Sequence, residues 1–117
     1  MSGYRIDKNT HKWELIGRGD PQKPQMFYPT NKEIPISQGD WVAARCTMYN
    51  YRDHYVPIGS TGADEMCNFY IMYYINRMDA TLTDDYCATA GPPYYYWKHN
   101  LKVPKEIDSG ASERLAM

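Results

Sequence analysis

The sequence has no long apolar run, no excess of either charge and no closely spaced cysteines, and these absences narrow what the chain can do. Its longest apolar stretches, such as Ile71 to Ile75, are far too short to cross a bilayer as a helix. Met1 is followed by Ser2, Gly3, Tyr4 and Arg5, not by the apolar core of a signal peptide. Lys and Arg number 13 against 14 Asp and Glu, and the pI is near 6.3. That balance lacks the electrostatic footprint of a nucleic-acid or anionic-membrane binder. The three cysteines have no pair at zinc-site spacing, and His11, His54 and His99 are solitary, each in a polar or loop context without ligand spacing. Helical periodicity is scarce.

What is present belongs to a folded domain. The 117 residues are 43% hydrophobic and 23% charged, which fits one globular domain and not a disordered chain. Twelve tyrosines, eight glycines and eight prolines point to short strands joined by turns. Alternation predicts a strand over Lys12 to Gly17, a short strand or edge over Met26 to Tyr28, and extended chain at Ile34-Pro35-Ile36. Gln38-Gly39-Asp40 reads as a tight turn. Two strands stand out, Trp41 to Tyr49 and Met66 to Ile75, with a last one expected at Tyr86 to Ala90. Arg77 to Asp85 is ambiguous, and Ser109 to Met117 reads as at most a frayed helical turn. The expected class is all-β, an antiparallel β-sandwich of jelly-roll type in a single domain.

Cys46 and Cys67 fall on the two strongest predicted strands with twenty residues between them. The pair reads either as a disulfide, worth about 3 kcal/mol by chain entropy, or as two buried thiols. Cys87 is then left over. In the stretch Asp64 to Tyr74 a period of two places Met66, Asn68, Tyr70, Met72 and Tyr74 on one face, and Cys67, Phe69, Ile71 and Tyr73 on the other. The second face is apolar and belongs against a core. The first carries two thioethers, an amide and a phenol, an unusual set for a merely solvated surface.

The stretch Ile58 to Tyr74 resembles the C-terminal catalytic domain of the copper type II, ascorbate-dependent monooxygenases. Supporting segments are Trp13-Glu14-Leu15-Ile16-Gly17-Arg18, Pro21-Gln22, Phe27-Tyr28-Pro29, and Gly39-Asp40 followed by Ala43-Ala44-Arg45-Cys46. The similarity runs from about Ser2 to Cys87 and fades after Ala88. It marks residues 1–90 as that domain, incomplete at its N-terminus, and 91–117 as a divergent, partly flexible tail. Within the family the chain looks like the peptidylglycine-hydroxylating branch, because Asn68 follows the Glu65-Met66-Cys67 core that the dopamine-hydroxylating branch shares without the asparagine.

The resemblance implies a role for each of these positions. Met66 would be the methionine ligand of the oxygen-activating copper, a soft donor suited to Cu(I). Asn68 and Tyr70 would hydrogen-bond the carboxylate of a glycine-extended peptide, and Ile58 and Met72 would line its pocket. Cys46 and Cys67 would form a family disulfide, while Cys87 would pair with a cysteine preceding this chain. The family also needs dioxygen, two coppers, ascorbate as reductant, a His-x-His segment, a carboxylate-binding arginine and an N-terminal copper domain. The His-x-His segment, the arginine and the copper domain would lie upstream of Met1, as would the signal peptide of a secretory-pathway, granular or extracellular enzyme. No catalytic residue is therefore assigned, and the chain alone is expected to be inactive. The alternatives are a non-catalytic peptide-binding module, a relative of the dopamine-hydroxylating enzymes, or a sandwich without function. Met26, Met48 and Met78 read as packing, the pairs Asp64-Glu65 and Asp84-Asp85 as solvated loop charges, and Tyr94-Tyr95-Tyr96-Trp97 as a strand or a domain-facing surface, against a peptide-contacting patch.

Overall fold

The computed structural model of the chain describes residues 1–77, 86–89 and 94–108. It divides into two compact units, Met1–Ile71 and Met72–Met117. Regular strand structure lies in the first, as Ser2–Ile6 (β1), Trp13–Arg18 (β2) and Trp41–Arg45 (β3). They form one antiparallel sheet in the order β2-β1-β3. The chain is thus all-β in class, as the sequence implies, and among the described residues helix is confined to two four-residue turns in the second unit.

β1 is the central strand. Tyr4 faces Leu15 on one side and Ala43 on the other, and Ile6 faces Trp13 and Trp41. Among the described residues Tyr4, Ile6, Ile16 and Ala43 are the buried apolar ones, and the Tyr4 and Trp13 rings meet edge to face at 5.6 Å. Gly3 pairs with Gly17 but Tyr4 with Leu15, so Ile16 is an extra residue on β2 at a bulge. The bulge breaks the alternation expected over Lys12 to Gly17, which is why Ile16 is buried and Leu15 is exposed.

Turn chemistry sets the register. The Asp7 carboxylate accepts hydrogen bonds from the Asn9 and Thr10 amides, and the Asp7 amide donates to Lys12 O at 3.0 Å, closing the β1–β2 connection. The expected turn before β3 closes through the Asp40 amide to Ser37 O at 3.0 Å. Asp40 then ties three segments together. Its carboxylate accepts from the Ser37 and Lys8 amides and pairs with Arg5 Nε at 2.9 Å. Arg5 also pairs with Asp7 and Glu14, and Glu14 with Lys32. The Asp40 side chain is 1% exposed, yet the Ser37 and Lys8 amides, aided by Arg5, hold its carboxyl down at about 2.

Several predicted elements are shorter than expected or missing. β3 stops at Arg45, so Cys46 to Tyr49 are not strand. Met26 to Tyr28 and Met66 to Ile75 have no strand structure, and neither do residues 86–89 of the expected last strand. Side-chain alternation describes a face, whereas a strand also requires a neighbouring backbone to complete its ladder. Among the described residues, segment 66–75 has none. Met26 and Met48 are exposed and pack into no core. Conversely, β1 was not expected from the sequence, since its five residues include Gly3 and Arg5.

In the second unit, Trp97–Asn100 (α1) and Lys105–Asp108 (α2) are the regular elements among the described residues. Trp97 thus begins a helical turn instead of continuing a strand. His99, expected in loop context, lies on α1 with its ring 5.4 Å from that of Tyr96. Pro104, which has no N–H to satisfy, precedes α2. Met78, the Asp84-Asp85 pair, Ala90, Pro92-Pro93, the Ser109 to Met117 turn and all of the ambiguous Arg77 to Asp85 stretch except Arg77 lie outside the described residues. No helix among the described residues is long and apolar enough to cross a membrane.

Candidate functional site

The segment carrying the predicted site is held by three separate devices in place of a sheet. The first is the loop between Pro57 and Glu65. The Glu65 amide donates to Pro57 O at 2.9 Å and the Gly59 amide to Glu65 O at 3.1 Å, giving a parallel bridge between Ile58 and Glu65. Inside the loop the Asp64 carboxylate accepts from the Thr61 amide at 3.1 Å and from Thr61 Oγ1 at 2.7 Å. Those bonds hold the Asp64 carboxyl below its usual range, with a smaller contribution from the Arg52 charge. Asp64 is therefore a partly exposed loop charge that is also engaged within the loop, while Glu65 beside it is exposed, as the sequence implied.

The second device is the disulfide between Cys46 and Cys67, with its Cα atoms 5.8 Å apart. It joins the residue just after β3 to the residue just after Met66, resolving the choice between bridge and free thiols. The third is Phe69. Its ring lies over Gly3 in β1 so closely that a Cβ there would run into it. A larger residue at position 3 would displace Phe69.

These devices orient the segment. Phe69 and Ile71 are half-buried, while Met66, Asn68 and Tyr70 are exposed, so the expected two-faced alternation holds although no ladder forms. Cys67 is exposed but bonded, and Tyr73 does not follow the pattern, being exposed. Asn68 Nδ2 donates to Met66 Sδ at 2.9 Å, which brings the amide and the thioether together. Ile58 reaches this neighbourhood through the bridge that ends at Glu65, one residue before Met66. Met72 is exposed and belongs to the second unit.

The donors fit one arm of a copper site. Met66 offers a soft sulfur, 54% exposed, beside the Asn68 amide and next in sequence to the Glu65 carboxylate. Among the described residues no group of three or more His, Cys, Asp or Glu could hold a metal. His11 and His54 are exposed, with His54 Nδ1 2.9 Å from Asp53. Cys87 is a free, exposed cysteine.

Sequence reasoning missed Phe69 over Gly3, because nothing local marks two residues so far apart as a contact. It also missed the loop lock, though Thr61-Gly62-Ala63-Asp64 carries the hydroxyl-to-carboxylate spacing of a local side-chain cap.

The profile of the family described as "Copper type II ascorbate-dependent monooxygenase, C-terminal domain" matches residues 1–100. Peptidyl-glycine alpha-amidating monooxygenase A of Xenopus laevis is 46% identical over 115 residues, covering 92% of this chain and 12% of that protein. The Mus musculus peptidyl-glycine alpha-amidating monooxygenase is 46% identical over 81 residues, 68% of this chain and 8% of that protein. The Rattus norvegicus enzyme is 47% identical over 76 residues, 64% of this chain and 8% of its own length. The chain spans only 8 to 12% of the curated relatives it matches. No solved structure matches it.

Proposed function

The chain belongs to the copper type II ascorbate-dependent monooxygenase family, and from that premise we propose that it is part of the catalytic domain of a peptide-hydroxylating enzyme. The substrate is a peptide ending in glycine, and the reaction hydroxylates the α-carbon of that glycine, the first step of peptide amidation. One atom of dioxygen enters the C–H bond and the other leaves as water, with two electrons from ascorbate. The observation that carries this reading is the outward row Met66, Asn68 and Tyr70 on a segment matching the family, with the amide of Asn68 on the sulfur of Met66.

Each residue has a distinct task. Met66 is the soft donor to copper, and when bound the metal supplies the oxygen-activating chemistry. The neutral donors Asn68 and Tyr70 orient the peptide carboxylate without a charge of their own, leaving its neutralisation to a cation elsewhere. Ile58 supplies apolar wall for the residues preceding the glycine. One thioether does not retain copper, so residues 1–117 alone are inactive. The N-terminal copper domain is a partner in the complete enzyme, and the protein works in the secretory pathway.

The test is turnover of a fluorescent glycine-extended peptide with copper, ascorbate and dioxygen, by this chain and by the protein translated from the full native transcript. The full protein is expected to hydroxylate it and Met66→Ile to abolish turnover with the fold intact. Undiminished turnover in Met66→Ile overturns the ligand assignment. Hydroxylation by residues 1–117 alone overturns the proposed inactivity.

A further inference from the structure

Met66 combines a fixed backbone with an accessible side chain. The residue before it, Glu65, is clamped by the two backbone hydrogen bonds to Pro57 and Gly59. The residue after it, Cys67, is covalently tied to Cys46. Between them the Met66 side chain is largely exposed. That is the mechanical requirement for a ligand on a segment without a sheet, since its position comes from neighbours and its side chain stays accessible.

The disulfide accounts for one of the two anchors. The other depends on whether the loop from Pro57 to Glu65 keeps its shape, and polar contacts inside the loop decide that. The Asp64 carboxylate holds Thr61 by both its amide and its hydroxyl. Thr61 Oγ1 in turn accepts from the Ala63 amide at 3.3 Å, and the Asp64 amide donates to Thr61 O at 3.0 Å. Arg52 Nη1 donates to Ala63 O at 2.8 Å and ties the loop to the preceding segment, itself shaped by the Arg52 amide on Asn50 Oδ1 at 2.9 Å. Gly59 faces the Asp64 carboxylate so closely that a Cβ there would collide with it. Backbone and side chain together thus bring the two ends of the loop, Ile58 and Glu65, into register.

We propose that Asp64 is a positioning residue for Met66, acting with Thr61 and Arg52 to lock the Pro57–Glu65 loop and so fix the thioether relative to Ile58. The inference rests on the reading of Met66 as ligand and Ile58 as pocket wall, and goes beyond it by assigning the residues that hold them in place. Asp64, Thr61 and Arg52 touch neither substrate nor metal in this assignment. They act through the loop.

The test needs no metal and no turnover. The 117-residue chain, labelled at its methionine methyls, is compared with Asp64→Ala, Asp64→Asn and Thr61→Val by amide hydrogen exchange and methyl spectra. In Asp64→Ala the Gly59 and Glu65 amides exchange about tenfold faster, as loss of local hydrogen bonds requires. The Met66 methyl moves toward its position in the urea-unfolded chain. Tyr4 and Ile6 exchange as before. Asp64→Asn keeps one acceptor and restores part of the protection, and Thr61→Val gives a smaller loss at the same two amides. Unchanged exchange and an unmoved Met66 methyl in both Asp64→Ala and Thr61→Val overturn the proposal. Uniform acceleration that includes Tyr4 and Ile6 in both variants overturns it too, as a merely structural role. Failure of the ligand reading looks different, because turnover would survive Met66→Ile while the Gly59 and Glu65 effects remained.

Discussion

The β1–β3 sheet and the segment from Pro57 to Ile71 reach order by different means. The sheet is held by continuous backbone ladders on both sides of β1 and by a small apolar core at Tyr4, Ile6, Ile16 and Ala43. An Arg5-centred charge network reinforces it. Among the described residues the segment has no ladder beyond the Ile58–Glu65 bridge, and it owes its path to a disulfide, a ring over Gly3 and a hydrogen-bonded loop. The difference suits a binding site. A ladder satisfies the backbone along a whole strand, whereas point anchors fix a backbone at a few positions and leave the side chains between them exposed for a ligand.

If the contrast is real, each region fails separately. The largest effect is expected from Ile6→Ala, which empties the most buried apolar position, 3% exposed, at the centre of the sheet. A loss of about 2–5 kcal/mol in urea unfolding is expected, with every segment lost together. A loss below 1 kcal/mol would show that the sheet does not carry the fold.

Next comes the disulfide. Replacing Cys46 and Cys67 by alanine together is expected to cost about 3 kcal/mol by chain entropy. Hydrogen exchange should then rise first at residues 66–71, with β1 the last to open. Loss of β1 protection at the same rate would erase the distinction between the regions.

The smallest effect is a pH dependence, to which Asp40 beside the sheet contributes most and Asp64 in the loop adds in the same direction. The Asp40 carboxyl is lowered from 3.8 to about 2 in the folded protein, so the unfolded chain takes up the proton at higher pH. Acid therefore favours unfolding. The contribution is complete above about pH 4 and is lost as pH falls through about 2. Asp7 and Glu14 are lowered as well and act in the same direction. Asp40→Asn should flatten the acid limb of the stability profile measured by thermal unfolding, leaving the Pro57–Glu65 loop protected. An unaltered limb would remove Asp40 from the network.

Particular residues show how far the sequence could be read. The β2 strand, the start of β3, the turn at Ser37 to Asp40 and the alternation around Asn68 were all legible, because each depends on side-chain period or turn chemistry within a few residues. β1 was not. Ser2-Gly3-Tyr4-Arg5-Ile6 has weak propensity at Gly3 and gains its central place from two partners distant in sequence. Met66 to Ile75 erred in the opposite direction, having strong strand propensity and alternation but no ladder among the described residues. Asp64 read as solvated because charge in a loop ordinarily is, and only the folded loop brings Thr61 onto it.

Order along the chain was enough for the β class, the family and the candidate ligand and carboxylate-binding residues, since composition, period and a long ungapped motif are properties of that order. Tertiary structure alone decided that β1 is the central strand, that Phe69 covers Gly3, and that Arg5 and Asp40 meet beside the sheet. It also decided how the Met66 segment is held, by anchors instead of a ladder. Those outcomes depend on which distant backbones and charges come within a few ångströms of one another, and local propensity carries no record of that distance.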